Sequence, residues 1–476
     1  MKKLIYICIA IIAMVACTKD FEEINENPNS PVQIEPEFLL SNVISVAADQ
    51  NTYNQGFRLS NYLTQFAASV EFERIDRYEM GSNADYWNTL YGLLNDLESI
   101  KTNEKTNAAY NAVSDILRSY LFSQLTDMWG DVPYSEALQA KSGNYTPKYD
   151  TQEAIYTDPN TGILAVLANA AATLKTTSGK IRGDILFNND LNQWVKFANA
   201  LRVRYYLRIS KRITDFTALQ ALSTSTDIMQ SNADNAVLPY LSSAPNQFPM
   251  SNASLGLYQE HRMTLTVDSI LKAWDDPRVN VLYKPTEASV LAGTPEFKGL
   301  LNGQSRETIA AKGIKGDEIS LFGAIFRDVP NGIDAQFMQY AELQFALAEA
   351  VERGYISGNA QQFYEEGIRA SFEYYQVTMP TDYLTRTNVA YGTDNLTKIL
   401  TQKWLMLNTN GHEAWFNIRR TGIPALTPGP DNFNNDQYPV RYLYPENEQA
   451  TNAVNLGEAI SRLGGNTINS KVWWEK

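Results

Sequence analysis

The chain has 476 residues and a formal net charge of -13, with 44% hydrophobic and 11% aromatic residues. That is enough apolar material for an ordinary buried core. The acidic balance argues against holding nucleic acid through its phosphates and against a polybasic grip on anionic lipid. The two cysteines, Cys8 and Cys17, both fall in the first 17 residues. The rest of the chain therefore offers no disulfide, zinc-thiolate site or cysteine nucleophile.

Lys2 and Lys3 precede an apolar run from Leu4 to Ala16, followed by Cys17. The run is shorter than the ~20 residues a membrane-spanning helix needs. A basic start, a short apolar centre and a small residue before the cut read as a secretory signal over residues 1–16. Met14-Val15-Ala16-Cys17 also resembles a bacterial lipobox, which makes Cys17 the expected lipid attachment point. Acyl chains would then hold a soluble protein on a membrane, at about 0.8 kcal/mol per buried CH₂. Without Lys2 and Lys3 the formal charge becomes -15, from 38 basic and 53 acidic residues. Residues 17–36, with Asn25, Asn27, Pro28, Asn29, Pro31 and Pro36, read as a helix-hostile tether. Residues 37–476 read as a single domain.

Helical periodicity dominates this domain. Val113, Ile116, Leu117, Tyr120, Leu121, Leu125 and Met128 form one apolar stripe, stopped by Gly130 and Pro133. A second helix is expected from near Trp194 through Phe197, Leu201, Tyr205 and Ile209. Its other face carries Arg202, Arg204, Arg208, Lys211 and Arg212, read as a solvated face or one that pairs with surface acids. Residues 335–376 read as a helical hairpin turning at Gly354 and Gly358. Leu347, Ala348, Val351, Ala360 and Tyr364 fit tetratricopeptide spacing in part. Glycine and proline concentrate in 230–335, and proline and asparagine in 421–450, so both stretches are expected as loops on the helical frame. Long structured loops in a compact domain usually carry function.

No catalytic motif is present: no Walker loop, no G-x-G-x-x-G, no H-E-x-x-H and no G-x-S-x-G. Asp275-Asp276 and Glu365-Glu366 are adjacent acids, and helical neighbours do not face one another across a glycosidic bond. His261 and His412 are far apart in sequence and read as structural. No EF-hand loop occurs; a calcium held by scattered loop oxygens is left open, and no cofactor is assigned.

Several segments, in order, resemble the SusD/RagB family of outer-membrane lipoproteins from Bacteroidetes. They are Leu117 to Leu138 (LRSYLFSQLTDMWGDVPYSEAL), Pro147 to Tyr156 (PKYDTQEAIY), Ala341 to Ala350 (AELQFALAEA), Gln402 to Pro424 (QKWLMLNTNGHEAWFNIRRTGIP), and Arg441 to Glu448 with Lys471-Val472-Trp473-Trp474. Asp20, Glu22 and Glu23, close behind Cys17, resemble the acidic export tag of Bacteroidetes surface lipoproteins. The resemblance implies a mostly α fold: tetratricopeptide-like helix pairs with a loop-rich ligand face. It also implies a non-enzymatic role on the outer membrane. The protein would be a lid on a SusC-like, TonB-dependent transporter and would capture oligosaccharides or peptides. Two other functions are weighed, a surface glycoside hydrolase and a structural or adhesive lipoprotein. New reducing ends would reveal the first, and absence of a co-purifying barrel the second.

Rings with an exposed face are what sugar rings stack on, although most aromatic side chains pack cores. The ligand-contact candidates are those expected in loops: Phe72, Tyr78, Trp274, Tyr283, Phe297, Phe433 and Tyr438. Arg419 and Arg420 are expected to pair with carboxylates inside the frame, and Trp415 and Phe416 to be buried.

Overall fold

The computed structural model describes residues 34–71 and 74–476. The signal segment, Cys17, most of the tether and Phe72 lie outside the described residues. The first helix among the described residues, α1 (Pro36–Asp49), begins inside the stretch read as tether. Pro36 stands in its first turn, where a missing N–H costs nothing and the fixed φ suits a helix. A π-helical turn, Gln50–Ser60, continues from it.

The frame is a stack of antiparallel helices. α2 (Ala84–Lys101) and α3 (Ala108–Trp129) follow α1, then α4 (Ile163–Thr176) and α5 (Leu191–Arg208). Each packs on its predecessor in the chain. The starts of α3 and α5 are set by side-chain caps. Asn107 accepts from the N–H of Ala109 and Tyr110, and Asp190 from those of Asn192 and Gln193. Helix α3 ends at Gly130, whose φ of 91° no other residue type adopts readily.

In the second half, α6 (Leu265–Trp274) stands inside the stretch expected as loop. Its N-cap, Thr264, and an apolar face of Val267, Leu271 and Trp274 explain the helix. The expected hairpin is present as α7 (Tyr340–Glu352) and α8 (Ala360–Tyr374). α9 (Asn395–Met406), α10 (Glu413–Thr421) and α11 (Ala453–Leu463) complete the frame. α7 packs against α5, α8 and α9, which joins the two halves.

Strands are short antiparallel pairs: β1 (Ala67–Ala68) with β5 (Arg262–Met263), β2 (Val132–Pro133) with β3 (Tyr149–Asp150), and β4 (Ala236–Pro239) with β6 (Asp334–Met338). One continuous apolar cluster runs from Leu39 to Trp474 and takes in Trp415 and Phe416. Among the described residues no helix is long and apolar enough to cross a membrane.

Charge crosses this core in pairs. Arg204 donates to Glu342 through Nε (2.7 Å) and Nη2 (2.6 Å). Arg208 meets Glu413 at 2.6 Å and Asp127 at 3.2 Å. Arg419 meets Glu475 at 2.7 Å and Arg420 meets Glu349 at 2.6 Å. All of these side chains are buried. Arg204 and Arg208, read from sequence as part of a surface face, instead tie α5 to α7 and α10. Burial raises the Glu349 carboxyl, but Arg420, Lys403 and Arg353 around it bring it down to about 2. At Asp127 burial wins, and the carboxyl is pushed up to about 6 despite Arg208.

Candidate functional site

Three loop segments meet on one face: residues 69–71 with 74–81, 297–320 and 427–438. Their junction is a set of specific hydrogen bonds. The Glu260 carboxylate, buried beside β5, accepts from Ser69 Oγ (3.0 Å) and from the Glu71 N–H (2.9 Å). Asp76 accepts from the Ser69 N–H at 3.1 Å. Arg306 reaches Glu71 at 2.9 Å. The Asp431 carboxylate accepts the Ser305 N–H at 2.8 Å, and the Asp431 N–H donates to the Gly303 carbonyl at 3.0 Å. These bonds, the Ser305 N–H first and Thr308 next, hold the Asp431 carboxyl below its usual range.

Two glycines allow the loops to touch. A Cβ on Gly303 would lie 2.8 Å from Gly429 Cα, and one on Gly429 would lie 2.2 Å from the Asn302 carbonyl oxygen. Gly303 also has φ +63°. Both positions exclude a side chain, which is why the glycine-rich segment and the late loop can join.

On top of this junction sits Phe433, 55% exposed. Its N–H donates to the Arg77 carbonyl at 2.7 Å. The Arg77 guanidinium lies 3.9 Å from the ring centroid, and its Nε donates to the Asp431 carbonyl at 2.6 Å. A cation against one face of a ring fixes the ring and leaves other ring surface to solvent. Beside it, Asn432 donates to the Gly429 carbonyl (2.8 Å) and to Asp436 (2.7 Å). An exposed ring bordered by amide and carboxylate groups suits a sugar, whose C–H face stacks and whose hydroxyls donate and accept.

Tyr78 and Tyr438 come to the same place but lie beneath it. Their rings meet edge to face with centroids 6.0 Å apart. Tyr438 donates to the Leu63 carbonyl at 2.7 Å, so it braces the loop from below. Burial, with Asp76 nearby, raises the Tyr78 hydroxyl well above its ordinary value.

The 297–305 segment leads from this junction to a second cavity, about 420 Å³, lined by Phe297, Asp268, Lys272, Asn280 and Arg386 among others. Phe297 is half-buried there. Asp268 accepts from Lys272 (2.9 Å) and from the Gly299 N–H (3.2 Å), while its Oδ1 has no partner. Arg386 is held by Asp382 and by the carbonyls of Trp274 and Asp275. Trp274 itself is buried at the end of α6, and Tyr283 is buried with its hydroxyl on the Phe66 carbonyl at 3.0 Å. Neither ring has a face open to a ligand. Both lie in segments rich in glycine and proline, but the apolar residues around them pull them into the core.

Sequence reasoning did not single out Arg77, Glu260, Asp431 or the glycine pair. Gly429 between two prolines was the one local signal. The histidines are structural. Burial lowers His261 to about 4 and His412 to about 3. Among the described residues no group of three or more His, Cys, Asp or Glu side chains could hold a metal ion.

A stack of helix pairs carries joined loops with an exposed ring held at their meeting point, an arrangement suited to holding a ligand. The comparisons agree. Residues 28–445 match the SusD-like family described as "starch-binding associating with outer membrane", and the chain belongs to that family. Its members are binding proteins, not enzymes, and are associated with the outer membrane. A SusD homologue from Bacteroides fragilis is 28% identical with a TM-score of 0.81, over 93% of this chain and 100% of that one. A chitin-binding protein is 25% identical with a TM-score of 0.80, over 93% and 100%. A chitin-binding SusD homologue from Flavobacterium johnsoniae is 25% identical with a TM-score of 0.78, over 93% and 98%. No curated protein matches.

Proposed function

We propose that this protein captures an oligosaccharide on the cell surface and delivers it to a SusC-like, TonB-dependent transporter in the same membrane. Cys17 carries the lipid that holds it there, and residues 18–33 form part of the tether. The observation that carries the ligand reading is the exposed Phe433 ring, pinned under Arg77 at the meeting of three loops. Phe297 and the cavity beside it extend the surface along the 297–305 segment. Family membership supports a glycan, and the chitin-binding relatives make β-linked N-acetylglucosamine oligomers the first ligands to try, with starch fragments next.

The test is calorimetric titration of the purified full-length protein with chitin and starch oligosaccharides and with a set of short peptides. Saturable glycan binding that falls in Phe433→Ala supports the reading. Binding of peptides alone, or glycan binding indifferent to Phe433, refutes it. Recovery of a TonB-dependent barrel by affinity purification from membranes tests the delivery step separately.

A further inference from the structure

The hairpin of α7 and α8 bounds a cavity of its own. Together with residues 223–230 it encloses about 330 Å³, at the lower end of the range for ligand pockets, about 300–1,000 Å³. None of the three loops around Phe433 contributes to it. Gln344 and Tyr340 come from α7, Gln362, Phe363 and Glu366 from α8, and Thr226 from the 223–230 segment.

Gln344 is the informative residue. It is only 7% exposed, and its amide has no side-chain hydrogen bond among the described residues. The amide, which is not among the fully enclosed polar atoms, opens on the cavity and offers a ligand both a donor and an acceptor. A sugar's vicinal hydroxyls match both, since each donates and accepts. Phe363, half-buried, offers ring surface for the C–H face of a sugar. Tyr340 lies with its hydroxyl 3.5 Å from Glu366 Oε1, which leaves the carboxylate room to accept from a ligand hydroxyl.

The lining also excludes other classes. No lysine or arginine belongs to it. The nearby cation, Arg369, is bonded to Glu365 at 2.9 Å and stands 3.9 Å from Glu366. An anionic ligand would meet Glu366 with no cation to receive it. A wholly apolar ligand would bury the Gln344 amide unpaired.

We infer that this cavity is a second saccharide site, for one or two neutral sugar units, separate from the loop face. The assignment rests on the hairpin lining and does not depend on Phe433 binding anything.

The experiment is photo-crosslinking of the full-length protein in detergent with diazirine-bearing chitotriose and maltotriose, the adducts being mapped by mass spectrometry. At least one probe should label residues 223–230 or 340–366. Gln344→Leu and Phe363→Ala should each cut that labelling about tenfold. Phe363 is partly exposed, so its variant keeps the test alive if Gln344→Leu misfolds. Phe433→Ala should leave these adducts in place, and an excess of sulfated trisaccharide should not displace them. No adduct in these segments with either probe, adducts unchanged in both variants, or displacement by the sulfated sugar overturns the assignment. Loss of adducts at 69–81 and 427–438 alone bears on the loop-face reading and leaves the hairpin site standing.

Discussion

His261 makes the stability of the loop-bearing half depend on pH. The ring stacks on Phe57 at 4.5 Å and lies 5.2 Å from Tyr62. Nδ1 donates to the Leu257 carbonyl at 3.0 Å, and Nε2 has no partner among the described residues. A proton on Nε2 would place a charge inside an aromatic cage with nothing to receive it. Desolvation therefore lowers the ring from 6.5 to about 4. Below pH 6.5 the unfolded chain takes up a proton that the folded chain refuses, so stability falls as pH drops from 6.5 to about 4 and is unaffected above.

At about 1.36 kcal/mol per pH unit the full loss is about 3.4 kcal/mol, of which about 2 kcal/mol has accrued at pH 5. His261→Phe keeps a ring in the cage and removes the titration. It also leaves the Leu257 carbonyl one donor short, a penalty of about 1 kcal/mol that is the same at both pH values. Urea unfolding followed by tryptophan fluorescence at pH 7 and pH 5 separates the two effects. The variant should lose about 2 kcal/mol less than the parent between those pH values. Equal losses, or a His261 ring that titrates near 6.5 by NMR, would refute the account. His261 is flanked by Glu260, which clamps Ser69 and Glu71, and by β5. Glycan binding at the loop face is therefore expected to weaken in parallel below pH 5.

Phe433→Ala removes the exposed ring and should weaken glycan binding by about 1.4 kcal/mol, roughly tenfold, in calorimetric titration, with little change in melting temperature. Gly303→Ala puts a methyl 2.8 Å from Gly429 Cα at a positive φ; a cost of about 1–3 kcal/mol should appear in urea unfolding together with reduced glycan binding. Arg204→Met leaves Glu342, fully buried, without its bidentate partner, and should destabilise by about 3–5 kcal/mol; adding Glu342→Gln should recover part of that in the same assay. Cys17→Ser should abolish metabolic labelling by a radioactive fatty acid and release the protein from the membrane fraction.

The sequence by itself determined the strongly periodic helices and their punctuation, though not α6, which lies in glycine- and proline-rich sequence. The stripe Val113 to Met128, ended by Gly130, became α3, and the hairpin around Gly354 and Gly358 became α7 and α8, because 3.6-residue periodicity and terminating residues are local properties. The pairing of Arg419 and Arg420 inside the frame was legible too, since two arginines among apolar aromatic residues have few other ways to be satisfied. Only the tertiary structure decided which rings stay exposed. Tyr78, Trp274, Tyr283 and Tyr438 sit in loop-like sequence beside Phe297 and Phe433, yet the first four are drawn inward by neighbours distant in the chain, such as the Leu63 carbonyl that holds Tyr438 from 375 residues away and the Phe66 carbonyl that holds Tyr283 from 217. The junction that raises Phe433, from Arg77 to Asp431 to Ser305, likewise joins segments more than 100 residues apart. Burial is a property of what arrives from elsewhere in the chain, and a linear pattern records only what is adjacent.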